Sequence, residues 1–316
     1  MVSKKSTMVS VLIMAYNHEK YIANAIEGVL MQKVNFGYEI IIGEDCSTDN
    51  TRAVIVDYAT KYPDKIKIIL HESNVGAKAN QLAILNAGKG KYIAFCEGDD
   101  YWIDEFKLQR QVDFLETHTD YVLTHTGVLF INNQGQSTDN FISFLNSKFR
   151  IIKSGLITKF LAKKNYIITV TVLILREALL LAEKRIEENL NQVANIDYTL
   201  FMELSILGKI NYENKRTAAY RVLTNSASHS LDLSSRFKFI ESTINISRFY
   251  NHKFSIGIDD RYFDRLTLSA KLREFAQRKL VSDYRIHFYE GIKQDRLNIF
   301  RLKNYYYFII SLLSKK

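Results

Sequence analysis

The chain of 316 residues has one proline, Pro63, and two cysteines, Cys46 and Cys96. With so little proline, punctuation falls to Gly, Asn, Asp and Ser. Two cysteines make neither a disulfide framework nor a zinc pattern, and both read as reduced thiols of a cytosolic protein. No apolar run approaches the ~20 residues needed to span a bilayer. Residues 1–10 carry lysines without an apolar stretch, which reads as no signal peptide. No Gly-x-Gly-x-x-Gly follows the first apolar run, and no Gly-x-x-x-x-Gly-Lys-Ser/Thr occurs. Their lack argues against a dinucleotide oxidoreductase and a P-loop NTPase.

What is present is an alternation of strand and helix patterns. Val9-Ser-Val-Leu-Ile-Met-Ala15 is a continuous apolar run, as in a strand buried on both faces. A helical stripe follows through Ile22, Ile26, Val29 and Leu30 over 19–31. The spacing then predicts strands over 38–43, 66–70 and 91–96, and helices to Lys61 (capped by Asp49 or Asn50), over 77–86 and over 105–118. Further on it predicts strands over 121–132, 167–175 and 217–222, a loop over 133–155, a helix over 197–207, and helices from about 231. This alternation implies a parallel sheet flanked by helices, whose ligands sit at the C-terminal strand ends. Three polar clusters fall there: Tyr16-Asn17, Glu44-Asp45-Cys46-Ser47 and Glu97-Gly98-Asp99-Asp100.

The third cluster gathers three carboxylates within four residues, and Gly98 suits a tight turn. Crowded anions need compensation, and a divalent cation supplies it. Oxygen ligands suit Mg²⁺ or Mn²⁺, which complete their shells with substrate phosphates. A solvated acidic turn is the plain alternative; the apolar strand before it and Tyr101-Trp102 after it favour a metal. Asp45 reads either as a ligand for a base or ribose or as an Asx turn. Tyr16 reads either as a stacking platform or as a plug at the rim. Asp49 and Thr51 read as caps.

These residues resemble glycosyltransferase family 2 in order and spacing. Val9 to Asn17 is similar to the family's opening strand, and Glu44-Asp-Cys-Ser-Thr-Asp-Asn-Thr51 to its Asp-Asp-x-Ser-x-Asp-x-Thr segment. Asn74-Val-Gly76, Gly90-Lys-Tyr-Ile-Ala-Phe95 and Glu97-Gly-Asp-Asp-Tyr-Trp102, the last in place of an Asp-x-Asp motif, continue the match over about 8–222. The resemblance implies a GT-A fold over 1–230, with a nucleotide-binding half about 8–120 and an acceptor half about 121–230. It implies that Ala15, Tyr16, Asn17, Asp45 and Ser47 lie at the nucleoside, with Asp45 on the base. Asp99 would hold Mn²⁺ or Mg²⁺ on the diphosphate, and Glu97 and Gly98 would lie near ribose or donor sugar. Glu97 departs from the family's Asp by one methylene, and Glu44 departs likewise from the first Asp of its pair. Asn195-Ile-Asp197 with Leu200 resembles the segment that carries the catalytic base, here Asp197. Read without the resemblance, Asp197 is a helix cap. Tyr220-Arg221 and Ser228-His229-Ser230 resemble segments near the diphosphate, so Arg221 and His229 join the site.

The implied activity is inverting transfer of a hexosyl or N-acetylhexosaminyl group from a nucleotide-diphosphate sugar, uridine being the family habit, to a glycan or lipid-linked glycan. Rival readings are a sugar nucleotidyltransferase and a non-catalytic sugar- or nucleotide-binding protein. The first would want a Gly-rich basic loop where Ala15-Tyr-Asn-His18 stands. Abundant Asn, Ile, Lys and Tyr suggest an AT-rich bacterial genome and, by association, surface polysaccharide such as capsule or lipopolysaccharide.

The net charge of +9 is unevenly placed: residues 231–316 hold 17 Lys/Arg against 9 Asp/Glu. This basic, aromatic, helical extension ends in Ile299 to Leu313 and Lys315-Lys316. It reads either as a packed extension with a solvated basic face or as a peripheral contact on the inner face of the plasma membrane. No nucleic-acid motif accompanies the charge, so no nucleic acid is expected.

Overall fold

The computed structural model describes residues 7–138, 153–189, 195–223, 232–278, 280, 283, 287 and 290. By its internal contacts the chain divides into two compact units. One comprises Met1–Asn191 with Ile196–Leu223, the other Gln192–Asn195 with Thr224–Lys316.

The first unit is built on an eight-stranded sheet. Its strands are β1 (Thr7–Ala15), β2 (Gly37–Glu44), β3 (Ile66–Leu70), β4 (Tyr92–Phe95), β5 (Tyr101–Trp102), β6 (Tyr121–Ile131), β7 (Leu173–Leu175) and β8 (Lys209–Arg221). Their order is β3-β2-β1-β4-β7-β6-β8-β5. The half of the sheet from β3 to β4 is parallel throughout, with Ala15 beside Glu44 and Leu12 beside Phe95. The expected parallel pattern stops at β7, which runs antiparallel to both β4 and β6, while β6 and β8 are parallel.

Apolar side chains explain this half. Val9, Val11 and Ile13 lie in one cluster with Ile40, Ile42, Ile22, Ile26 and Val29. All eight are fully buried, each worth roughly 1.5–3 kcal/mol against exposure. The helices α1 (Ile22–Leu30), α2 (Thr51–Lys61), α3 (Ala77–Ala87) and α4 (Lys107–Thr117) cover the sheet. Ser10, a polar residue within buried β1, is satisfied: its hydroxyl donates to Glu39 Oε1 (2.7 Å) and accepts from the Gly90 N–H (2.8 Å).

Between β7 and β8 lie α5 (Arg176–Asn189) and α6 (Ile196–Leu207). The strand expected over 167–175 shrinks to β7, because Thr169–Thr171 forms a single 3₁₀ turn in which the Thr171 hydroxyl donates to the Ile168 carbonyl (2.6 Å). The strand expected over 217–222 begins earlier, at Lys209. Of the loop expected over 133–155, residues 139–152 lie outside the described residues.

The second unit contains α7 (Leu233–Lys253) and α8 (Asp260–Gln277). Asp232 caps α7 by accepting the Ser235 N–H at 2.7 Å. Leu272 and Phe275 form its small apolar cluster with Leu233, Phe237, Leu268 and Leu280, flanked by an Arg236–Glu274 ion pair at 2.9 Å. The Ile299–Leu313 segment lies outside the described residues. Among those described, no helix is long and apolar enough to cross a membrane.

Candidate active site

The parallel strands bring three turns to one edge. Those after β1 and β2 are laced together by their own polar groups. The Asn17 N–H donates to Ser47 Oγ (3.0 Å), and Asn17 Oδ1 accepts from the Thr48 N–H (2.9 Å). The Glu19 N–H donates to Asp49 Oδ2 (3.1 Å), and Asp49 Oδ1 accepts from the Thr51 N–H (2.9 Å). Asn17 and Cys46 both hold φ of 57°, a left-handed conformation that costs a non-glycine residue energy and persists only where surroundings impose it. Ala15 is buried at the end of β1, while Tyr16, 43% exposed, stands out from the rim as a free ring face.

Asp45 lies deeper. It is 3% exposed, its Oδ1 accepts from the Val75 N–H (2.7 Å), and its Oδ2 accepts from the Gly76 N–H (3.0 Å). The Asn74-Val75-Gly76 turn is thereby clamped to the end of β2. Gly76 holds φ of 86°, which explains a glycine there. Glu44 is wholly buried and accepts from the Ser47 N–H (2.6 Å) and from Arg52. It serves the architecture of the turn.

The turn after β4 differs. The Gly98 N–H donates to the Met14 carbonyl (2.9 Å), and a Cβ at Gly98 would lie 2.6 Å from His18 Nδ1 and 2.9 Å from that carbonyl. The glycine is required for close approach to β1; its φ is not left-handed. Around it, Glu97 Oε2, Asp100 Oδ2 and His18 Nδ1 are buried without a hydrogen-bond partner. Burial, then the charges of Asp197 and Asp99, push Glu97 up to about 8. Burial, then Glu97 and Asp99, drive Asp100 well above the ordinary carboxylate range. Burial also lowers His18, against the pull of Asp99 and Asp49. Asp99 itself is half-buried between them.

Asp197 opens α6, near enough to this turn for its charge to raise Glu97. Thr169 Oγ1 donates to its Oδ2 at 3.0 Å. Burial raises the Asp197 pKa and the threonine hydrogen bond opposes the rise. Arg221, at the end of β8 and 4% exposed, sits behind the acidic turn. Its Nε donates to the Asp99 carbonyl (2.9 Å), its Nη1 to the Asn132 and Asn133 carbonyls (2.9 and 3.2 Å), and its backbone N–H to Asp100 Oδ1 (2.7 Å). Its guanidinium lies 4.2 Å from the centre of the Tyr21 ring. His229 lies outside the described residues.

Among the described residues no three His, Cys, Asp or Glu side chains converge as a metal cage. An ion shared with a diphosphate needs only one or two protein carboxylates. Asp99 beside the orphaned oxygens of Glu97 and Asp100 fits that lighter demand. His18 and Thr169 escaped sequence reasoning. The only trace of the first was its place after Tyr16-Asn17, and no local pattern marked the second.

The profile described as "Glycosyl transferase family 2" matches residues 10–180, more than half of the chain. The chain belongs to glycosyl transferase family 2. It is 38% identical over 112 residues to the Escherichia coli UDP-Glc:alpha-D-GlcNAc-diphosphoundecaprenol beta-1,3-glucosyltransferase WfaP, over 35% of this chain and 42% of WfaP. The matched stretch spans about two fifths to half of the curated relatives' length, for example 38%, 45% and 52%. Among solved structures, TarS 1–349 of S. aureus with UDP-GlcNAc matches at a TM-score of 0.56 and 16% identity, over 97% of this chain and 80% of that one. The mannosyltransferase PcManGT of Pyrobaculum calidifontis, with GDP-Man and Mn²⁺, matches at 0.55 and 12%, over 98% and 88%. These likenesses identify the fold, the GT-A arrangement of a mixed sheet between helices.

Proposed function

We propose that this chain is an inverting glycosyltransferase that moves a sugar from a nucleoside diphosphate, a UDP-sugar, to a hydroxyl of a glycan or lipid-linked glycan. The observation that carries this reading is the meeting of Asp99, the orphaned oxygens of Glu97 and Asp100, and Asp197 at one strand edge. Ala15, Tyr16, Asn17 and Ser47 form the nucleoside rim, with Tyr16 stacking on the base. Asp45, whose oxygens each keep a lone pair beyond the backbone bonds they accept, faces the base. Glu97 and Gly98 line the ribose and donor sugar.

Asp99 would hold Mn²⁺ or Mg²⁺, which offsets the charge that grows on the departing diphosphate. The complexes of PcManGT with GDP-Man and Mn²⁺ and of TarS with UDP-GlcNAc support a metal and a nucleotide-sugar donor. Arg221 fixes the Asp99 carbonyl and so sets where the Asp99 carboxylate stands. Asp197 takes the proton of the attacking hydroxyl as the new bond forms. Its raised pKa suits a base, and the Thr169 hydrogen bond aims it. The lipid-linked acceptor named in WfaP supports an acceptor of that class.

The test is incubation with a panel of UDP- and GDP-sugars, Mn²⁺ and undecaprenyl-diphosphate-linked acceptors, reading nucleotide release and the anomer formed. The expected result is release from one UDP-sugar and a β-linked product from an α-linked donor. Release from no donor, or a product that keeps the donor's anomeric configuration, would refute the proposal.

A further inference from the structure

The sequence from Asn140 to Arg176 contains no Asp or Glu and seven Lys or Arg residues. Within it, residues 153–164 fold into a turn at Gly155 and a short helical turn, Thr158–Leu161. Ile157, Leu161 and Ala162 are buried in the first unit, while Leu156 and Phe160 point outward, 75% and 44% exposed. Lys153, Lys159, Lys163 and Lys164 are exposed around them. Lys153 Nζ lies 4.2 Å from the centre of the Phe160 ring. The Gly155–Ile210 bridge sets this turn beside the start of β8, where the carboxylate of Asp120 is already paired with Lys209 at 2.5 Å.

Single exposed apolar residues are ordinary. Two of them four positions apart, ringed by lysines in a stretch without acids, match a different surface. An anionic bilayer offers phosphates to the ammonium groups and an acyl boundary to Leu and Phe, with the lysine stems reaching up to the headgroups. We infer that residues 153–164, in the first unit and distant in sequence from the basic C-terminal segment, are a membrane-docking surface for anionic lipid. A soluble polyanion would use the lysines and leave Leu156 and Phe160 in water.

The surface is tied to the site. Thr158 Oγ1 donates to the Ser205 carbonyl (2.8 Å) and Tyr198 Oη to the Leu161 carbonyl (3.0 Å). Both partners belong to α6, and Tyr198 adjoins Asp197. Docking would therefore hold the Asp197 helix close to the bilayer, where a lipid-linked acceptor resides. That use rests on the proposed transfer reaction; the lipid binding does not.

The experiment is flotation of the full chain with vesicles of phosphatidylcholine, alone or mixed with phosphatidylglycerol, at low and high salt. Three variants accompany it: Lys159→Glu/Lys163→Glu/Lys164→Glu, Leu156→Ser/Phe160→Ser, and a tail control, Arg301→Glu/Lys303→Glu/Lys315→Glu/Lys316→Glu. Circular dichroism and thermal melting verify folding; should the lysine variant not fold, the Leu156/Phe160 pair decides. The expected result is salt-sensitive flotation on phosphatidylglycerol vesicles only. The lysine variant should lose it by more than about a hundredfold, at about fivefold per charge removed, and the Leu156/Phe160 variant by about tenfold. Failure of the parent to float, loss only in the tail control, or retention of the parent on heparin without flotation would each overturn the inference. Because flotation needs no donor or acceptor, an inactive enzyme that floats would count against the transfer reading alone.

Discussion

Two parts of the same strand edge solve opposite problems. In the turns after β1 and β2, Asn17, Asp45, Asp49 and Glu44 spend their oxygens on neighbouring N–H groups and side chains. In the turn after β4, Glu97 and Asp100 keep buried oxygens without partners, and their charged forms are held off by burial and mutual repulsion. A satisfied turn is a rigid platform. An unsatisfied acidic one is costly by itself and becomes favourable when positive charge arrives. On the proposed function, the difference separates a surface that would position a nucleoside from one that would take a cation and its phosphates.

The largest expected break in that comparison is at Asp197. Asp197→Asn keeps the shape and removes the proposed base, so kcat should fall by about 10²–10⁴ while UDP affinity stays within a factor of two or so. Steady-state kinetics with nucleotide titration checks both. Unchanged turnover would remove Asp197 from the chemistry.

Arg221→Ala comes next, because it strips one cation from three carbonyls and leaves a buried gap behind the acidic turn. Thermal or urea unfolding should show a loss of about 2–4 kcal/mol. Arg221→Lys should recover less than half, since an ammonium cannot span the same carbonyls. A neutral result would mean that the turn holds itself.

Lys107 sharpens the comparison from beneath. It is fully buried, its Nζ lies 4.3 Å from the centre of the Trp102 ring, it donates to Gln111 Oε1 (2.8 Å), and burial lowers its pKa to about 7. In the unfolded chain a lysine titrates near 10.4. Between pH 7 and about 10 the unfolded chain therefore holds more protons, and this residue makes stability rise with pH. Below 7 both states are charged and the burial cost is complete. Lys107→Met should be more stable than the parent at pH 6, by roughly 2–3 kcal/mol, with the gain shrinking towards pH 10. Equal curves would show that the ammonium is solvated.

Thr169→Val is the smallest. It removes the hydrogen bond that lowers the Asp197 pKa, so the acid limb of the kcat profile should move to higher pH by less than about one unit. Lost activity with no shift of that limb would make Thr169 a packing residue.

How much of this could be read beforehand follows from how local each signal is. Strands β1 and β2 stood out because Val9 to Ala15 and Tyr38 to Gly43 are apolar runs broken only by Ser10 and Glu39, which hydrogen-bond to each other in the structure. The turns after them and after β4, and hence Asp45 and Asp99, followed from the rule that such strands deliver ligands to their C-terminal ends. The early part of β8, Lys209 to Arg216, was missed because its polar residues are half-exposed or exposed and show no alternation. The strand expected over 167–175 was too long because its β-branched residues read as strand, whereas Thr169 and Thr171 turn their hydroxyls to Asp197 and to the backbone; α5, which follows it directly, went unread. The antiparallel insertion of β7, and the part Arg221 plays behind Asp99, depend on contacts between residues about fifty or more apart in sequence, which no local pattern carries.

The most direct measurement of the central claim is calorimetric titration of UDP into the parent and Asp99→Ala, with and without Mn²⁺. In the parent Mn²⁺ should tighten UDP binding by at least about tenfold, or 1.4 kcal/mol, and in Asp99→Ala the two curves should coincide. An Asp99→Ala protein that keeps the full Mn²⁺ enhancement would contradict the account.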